Sequence, residues 1–175
     1  MRTISSERLI MRPWESNDAD FLFDLESRWE TIRFLGPYAK PMTDRSEALQ
    51  SIIRRRAIDD PIHGIWIITA RDSHKLLGNL LLKPILLSAG VKGESPVEIG
   101  WHLHPDAQGA GYATEAAGAV MADAASNGLR SLVAVTDPLN APSLRVCERL
   151  GMQSRGVTDS YYDERNLLFE KVLSR

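Results

Sequence analysis

The spacing of hydrophobic positions changes character several times along the chain. Arg8–Arg12 (RLIMR) reads as a short strand ended by Pro13. Ser16 or Asn17 stands where it can cap a helix over Ala19–Glu26, with Phe21, Leu22 and Leu25 on one face. Gly36–Met42 (GPYAKPM) is loop. Thr43 or Asp44 caps a second helix to about Ile58, whose Ala48, Leu49, Ile52, Ile53 and Ala57 form one stripe. Gly64–Arg71 (GIWIITAR) is an apolar, β-branched strand, and Leu76–Leu87 returns from the turn Asp72–Lys75 as its antiparallel partner. Val97–Pro105 alternates Val97, Ile99, Trp101 and Leu103 against Glu98, Gly100, His102 and His104. A helix over Gly111–Asn127 follows, closed by Gly128. Arg130–Thr136 has the nearly continuous apolar core of a buried central strand. Asn140–Gly151 is a capped helix, and residues 152–158 and 165–173 form a last antiparallel pair. The order β, α, α, β, β, β, α, β, α, β, β predicts an α/β (α+β) fold. Its sheet is mixed and mostly antiparallel, with helices on its flanks.

Composition narrows the function classes. The 175 residues suit one domain over 1–175, with 43% hydrophobic and 25% charged residues. A net charge of −2 gives no electrostatic case for nucleic acid. Arg54, Arg55 and Arg56 point in different directions around a helix and read as a solvated face. Cys147 is the only cysteine, so no intrachain disulfide forms. No apolar run is long enough to span a membrane, and the N-terminus lacks a signal-peptide core, so a cytoplasmic protein is expected. Pro84 and the apolar run Leu80–Leu87 suggest a free edge through which a homodimer would form.

The candidate chemistry centres on Gln108–Ala113 (QGAGYA), between a strand and a helix. A helix start offers unpaired N–H groups and the positive end of the macrodipole. Gly109 and Gly111 lack side chains that would hold a ligand away, and Ala110 and Ala113 are small. Amides from about Gly109 to Ala113 would therefore cup a phosphate or diphosphate, with Gln108 as a neutral donor. A tight turn with glycines for geometry alone is the competing reading. Two other phosphate motifs fail: there is no G-x-x-x-x-G-K-[ST], and Thr114 breaks G-x-G-x-x-G.

Gln108-Gly-Ala-Gly111-Tyr-Ala113 resembles the Q/R-x-x-G-x-G/A signature of the GNAT superfamily of N-acetyltransferases. The chain is most similar to the branch that holds the Rim-type N-terminal acetyltransferases of ribosomal proteins. Four stretches carry this in order: SERLIMRPWESNDAD, KLLGNLLL, VEIGWHLHPDAQGAGYATEA and NAPSLRVCERLGM, the last with Met152 where phenylalanine is usual. The resemblance implies an acetyl-CoA cosubstrate and no metal. Its diphosphate would lie on Gln108, Gly109, Ala110, Gly111, Tyr112 and Ala113, its pantetheine arm along Trp101–His104. The Leu103 amide would meet the thioester oxygen, with Asn140 and Ser143 beside the cofactor. The strand at Trp101–His104 would splay from Arg130–Thr136 to open the slot.

The implied reaction is direct attack of an amine on the thioester in a ternary complex. Attack needs a neutral amine, and an α-amine (reference pKa about 7.7–8.0) meets that more easily than a lysine (about 10.4). Acceptors of either kind, a protein N-terminus or a small-molecule amine, remain open. Glu98 is the first candidate base, through a water; His102, His104 and Glu164 are weaker ones. Many superfamily members carry an acidic tyrosine where this chain has Cys147, so Ser143 becomes the candidate acid. Tyr161–Glu164 falls where the branch often contacts its acceptor. Glu115 reads as a helix cap or a local ion pair. The alternative function is a CoA-binding, catalytically weak sensor or interaction module.

Overall fold

A computed structural model describes residues 2–58 and 60–173. Eight strands form one sheet in the order β1-β2-β3-β4-β5-β6-β8-β7. They are β1 (Ile4–Ser5), β2 (Leu9–Pro13), β3 (Gly64–Ala70), β4 (Leu76–Pro84), β5 (Val97–Leu103), β6 (Ser131–Thr136), β7 (Gln153–Tyr161) and β8 (Glu164–Val172). Every neighbouring pair is antiparallel except β5 and β6. That parallel pair is joined by helix α4 (Tyr112–Ser126), as a crossover requires.

Local chemistry sets the helix ends. Helix α1 (Ala19–Ser27) follows a single turn at Ser16–Asp18. Neither Ser16 nor Asn17 caps it. Asp18 takes the backbone N–H of Glu15 at 2.8 Å and a two-pronged Arg12 at 2.8 Å, because a nearly buried carboxylate gains more from a cation than from solvent. After the short α2 (Trp29–Ile32), Asp44 and Glu47 close a reciprocal capping box at the start of α3 (Arg45–Arg56). Helix α4 starts at Gly111 with φ +80° and no side-chain cap, and Gly128 follows its end with φ +98°. Asn140 caps α5 (Ala141–Arg149) by accepting from the Ser143 N–H at 3.4 Å.

Helices cover both faces of the sheet, so the apolar residues sort into two cores. Trp66, Leu80, Leu82 and Ile99 pack with the alanine-rich face of α4. On the other side Trp14, Leu22, Leu25 and Ile52 pack with Ile67 beneath α1 and α3. Small residues at Ala113, Ala116, Ala117 and Ala124 let α4 approach the sheet closely.

Two expectations change. Strand β4 is paired along both sides, with β3 and with β5, so it offers no edge for another chain. Arg55 is not solvated: its guanidinium meets Glu26 and lies 5.0 Å from the Trp14 ring centroid. A long apolar stem let it bury while Arg54 stays exposed.

Candidate active site

Strands β5 and β6 share one registered pair, Glu98 with Val133. Beyond it they separate, and a cavity of about 680 Å³ opens between them. Its walls include Ile99–Leu103 on one side and Ala134–Thr136 on the other. The backbone of β5 is half free there. His104 donates to Leu77 O on β4 at 2.9 Å, so alternation turns the N–H groups of Leu103 and Trp101 away from β4, toward the gap. The Leu103 carbonyl on that side is taken by Gln108 Nε2 at 3.3 Å.

At one end of the cavity lies the glycine-rich turn. Gly109 and Gly111 both have φ +80°, a left-handed conformation costly for residues with a Cβ. They fold the chain so that Gln108, Gly109, Gly111, Tyr112, Ala113 and Thr114 line the cavity. The first-turn amides of α4 have no side-chain acceptor. The Thr114 hydroxyl, buried beside them, has no partner either. Such a donor-rich end suits a phosphate group. Ala110 differs from the expectation: it does not line the cavity, and its carbonyl accepts from Arg8 Nη2 at 3.2 Å.

Asn140, Ser143, Val146 and Cys147 of the α5 region form the adjoining wall. Among the described residues, no carbonyl of its own helix takes the Ser143 hydroxyl. Burial pushes the Cys147 thiol up to about 12, so it stays protonated and gives up its proton less readily than an ordinary thiol.

Residues 8–153 match the family model of an acetyltransferase (GNAT) domain. The chain belongs to the GNAT acetyltransferase family. It is 26% identical over 156 residues to the uncharacterized N-acetyltransferase YnaD of Bacillus subtilis (strain 168), covering 87% of this chain and 84% of that protein. A GNAT-family acetyltransferase from Bacillus anthracis superposes with a TM-score of 0.80 at 20% identity, over 99% of this chain and 100% of that one. RimL, a ribosomal L7/L12 alpha-N-protein acetyltransferase solved in complex with coenzyme A, superposes with a TM-score of 0.79 at 17% identity, over 98% of each chain. The fold and the enzyme class expected from the sequence both stand: this is an acetyl-CoA-dependent N-acetyltransferase.

Glu98, Tyr162, His102 and Glu26 also line the acetyltransferase cavity. Glu98 is 7% exposed and accepts from the Tyr162 hydroxyl. Burial raises its carboxyl above the ordinary range, against the opposing pull of Tyr162 and Lys83. Tyr162 sits at φ +61° in the β7–β8 turn, with its N–H on Leu86 O at 3.2 Å. On the same face of β5, His102 Nε2 lies 3.0 Å from Glu26 Oε1, and Glu26 also meets Arg55. Burial alone would raise the Glu26 carboxyl, but His102 and Arg55 outweigh it and lower it to about 2. His104 is similarly tied to Asp24 at 3.0 Å. Both histidines are thus oriented by carboxylates of α1 rather than lying free on the surface. Glu115 is neither a cap nor a local pair: it meets Ser6 and Arg8, more than a hundred positions away.

Sequence reasoning singled out Glu98, His102 and Tyr161–Glu164 but not how these groups pair, and it missed Thr114 and the first strand. Glu26 and Arg55 sit on separate helices, and only their packing over Trp14 unites them. Tyr162 reaches Glu98 across 64 positions, which no local spacing encodes. Thr114 was visible only as a broken glycine motif. The absence of β1 from the expected order reflects its length of two residues. No helix of the described residues is long and apolar enough to cross a membrane.

Proposed function

We propose that the enzyme transfers an acetyl group from acetyl-CoA to a primary amine, held together with it in one ternary complex. The observation that carries this is the continuity of one cavity, from the uncapped amides of the glycine-rich turn, past the open edge of β5, to Glu98, Tyr162 and His102.

Gln108, Gly109, Gly111, Tyr112, Ala113 and Thr114 hold the diphosphate, chiefly through main-chain N–H groups, with Asn140 alongside. Acetyl-CoA supplies an activated acyl carbon and a thiol leaving group. The Leu103 N–H, free on the gap side, donates to the thioester oxygen and is worth most when negative charge develops there. The Ser143 hydroxyl donates a hydrogen bond to the departing sulfur. Glu98 takes the amine proton, directly or through water. Its burial raises its basicity toward the range where a general base works best, while Tyr162 and Lys83 keep the carboxylate form within reach.

An α-amine suits this machinery, because more of it is neutral near pH 7 than of a lysine amine. RimL acts on the α-amine of a protein, as its name states. The acceptor class is therefore a protein N-terminus or a small-molecule α-amine, and one domain carries both substrates.

The test is turnover of acetyl-CoA against a panel of peptides and small amines, with products read by intact mass. We expect acetylated product with at least one α-amine, and kcat lower by about a hundredfold in Glu98→Gln, the lower end of a general-base contribution. Tight CoA binding with no turnover across the panel would sink the catalytic reading and leave a CoA-binding module.

A further inference from the structure

The glycine-rich turn is braced from behind. Arg8, in the bend between β1 and β2, stands outside the cavity and reaches the turn by four contacts. Its Nη2 donates to Ala110 O at 3.2 Å, and its Nε donates to Glu115 Oε2 at 2.7 Å. Its backbone N–H donates to Glu115 Oε1 at 2.8 Å, and its guanidinium carbon lies 4.9 Å from the Tyr112 ring centroid. Ser6 adds a hydroxyl to Glu115 at 2.7 Å.

Two physical consequences follow. Ala110 C=O and Gly111 N–H belong to one peptide unit. A cation on the carbonyl polarises that unit and strengthens its N–H as a donor toward the cavity, by about 10–30% for a neutral chain of bonds. Second, Glu115 is an acidic group in the first turn of α4, where its charge opposes an incoming phosphate. Arg8 and Ser6 hold it ionised against its burial and turn it toward the sheet edge. The turn itself contributes no cation, since position 108 is glutamine and its side chain is spent on Leu103 O.

We infer that Arg8 is a positioning residue for cosubstrate binding. It fixes and polarises the Ala110–Gly111 peptide and cancels the Glu115 charge, so a diphosphate meets a net-positive turn although no basic side chain lines it. This rests on the reading of the turn given above. With Glu115 cancelled by Arg8, the positive field at the turn is that of its main-chain N–H groups; Arg145 and Arg149 of α5 also line the cavity.

Arg8→Gln, Arg8→Lys and the double variant Arg8→Gln/Glu115→Gln separate this role from simple support. The probes are CoA and pantetheine, which shares the arm but has no phosphate; binding is read by quenching of tryptophan fluorescence, Trp101 being part of the cavity wall. We expect Arg8→Gln to raise the Kd for CoA about tenfold, the worth of one charge-assisted hydrogen bond. The Kd for pantetheine stays within about twofold. Arg8→Lys keeps the charge and loses less, and the double variant recovers part of the loss. Equal weakening of both ligands would make Arg8 a mere support and overturn the inference, as would an unchanged Kd for CoA. A native protein that binds CoA no better than pantetheine would instead refute the diphosphate reading of the turn, and this role with it.

Discussion

Replacing Gly111 by alanine tests whether the left-handed turn exists for its ligand. Gly111 has φ +80°, and a Cβ built there meets only Arg8 Nη2 at 3.6 Å, an ordinary contact. Space is therefore not the issue; backbone strain is, at about 1–2 kcal/mol for a residue with a Cβ in this conformation. Gly156, on edge strand β7, is a matched control, with φ +85° and nothing within 4 Å of its Cβ. Alanine at Gly156 is held by the β7–β8 ladder, so its strain appears as lost stability. For a chain of this size that lowers Tm by about 2–4 °C per kcal/mol, or about 2–8 °C. Alanine at Gly111 has a second way out, because the turn is exposed and can relax by rotating its amides away from the cavity. CoA must then restore the strained form before it binds. The affinity loss is capped by the strain, so Kd rises by about 5- to 30-fold while Tm falls less than in Gly156→Ala. Thermal melting and calorimetric titration with CoA measure both. If Gly156→Ala weakened CoA as much as Gly111→Ala, or if Gly111→Ala changed neither quantity, the turn would not be preorganised for an anion.

Glu26→Gln leaves the Arg55 guanidinium, only 12% exposed, without its anion, and should cost about 3 kcal/mol at neutral pH in urea denaturation. Because the Glu26 carboxyl falls from 4.5 to about 2 on folding, its contribution is present above pH 4.5 and lost as pH drops toward 2; the variant should lose less stability across that window. Glu98 has the opposite sign. Burial favours its protonated form, so its share of stability is present at low pH and fades as pH rises through its raised value. Tyr162→Phe removes the donor that opposes this rise, so the acidic limb of the kcat/KM profile should move to higher pH; an unmoved limb would mean that Glu98 is not the base. Cys147 is fully buried with its thiol pushed up to about 12, so a disulfide reagent should titrate it only after denaturation; prompt reaction in the native state would contradict that burial.

What the sequence made legible was local. The Asp44–Glu47 box, the Asn140 cap and the alternation of β5 each lie within a few residues, and each folds as its chemistry demands. The cosubstrate end of the site belongs to this class. Leu103, Gln108–Ala113, Asn140 and Ser143 come from one strand–turn–helix–strand–helix run, so their spacing could be read directly. At the other end Glu98, His102 and Tyr161–Glu164 could be named from the sequence, but their pairing could not, for a geometric reason. Glu26 comes from α1, Arg55 from α3, Glu98 and His102 from β5, and Tyr162 from the β7–β8 turn. Only the sheet, with helices on both faces, brings these segments to one place.

That division has an energetic side. In the proposed reading the cosubstrate end relies chiefly on main-chain donors at the uncapped start of α4, braced by Arg8. The acceptor end relies on buried ion pairs, where loss of one partner strands the other at a cost of several kcal/mol. Glu26 is shared by His102 and Arg55, so a substitution at any of the three perturbs the other two. Tyr162 lies outside that network, with its hydroxyl on Glu98. Its turn is anchored by Ser88, which takes the Asp163 N–H at 2.9 Å and gives its own N–H to Ser160 O at 2.9 Å. Those anchors are independent of the aromatic ring. In the proposed reading, the β7–β8 turn can therefore change without disturbing the ion-pair network or the glycine-rich turn, provided the Tyr162 hydroxyl still meets Glu98, and selectivity between a protein N-terminus and a small amine has room to be set there.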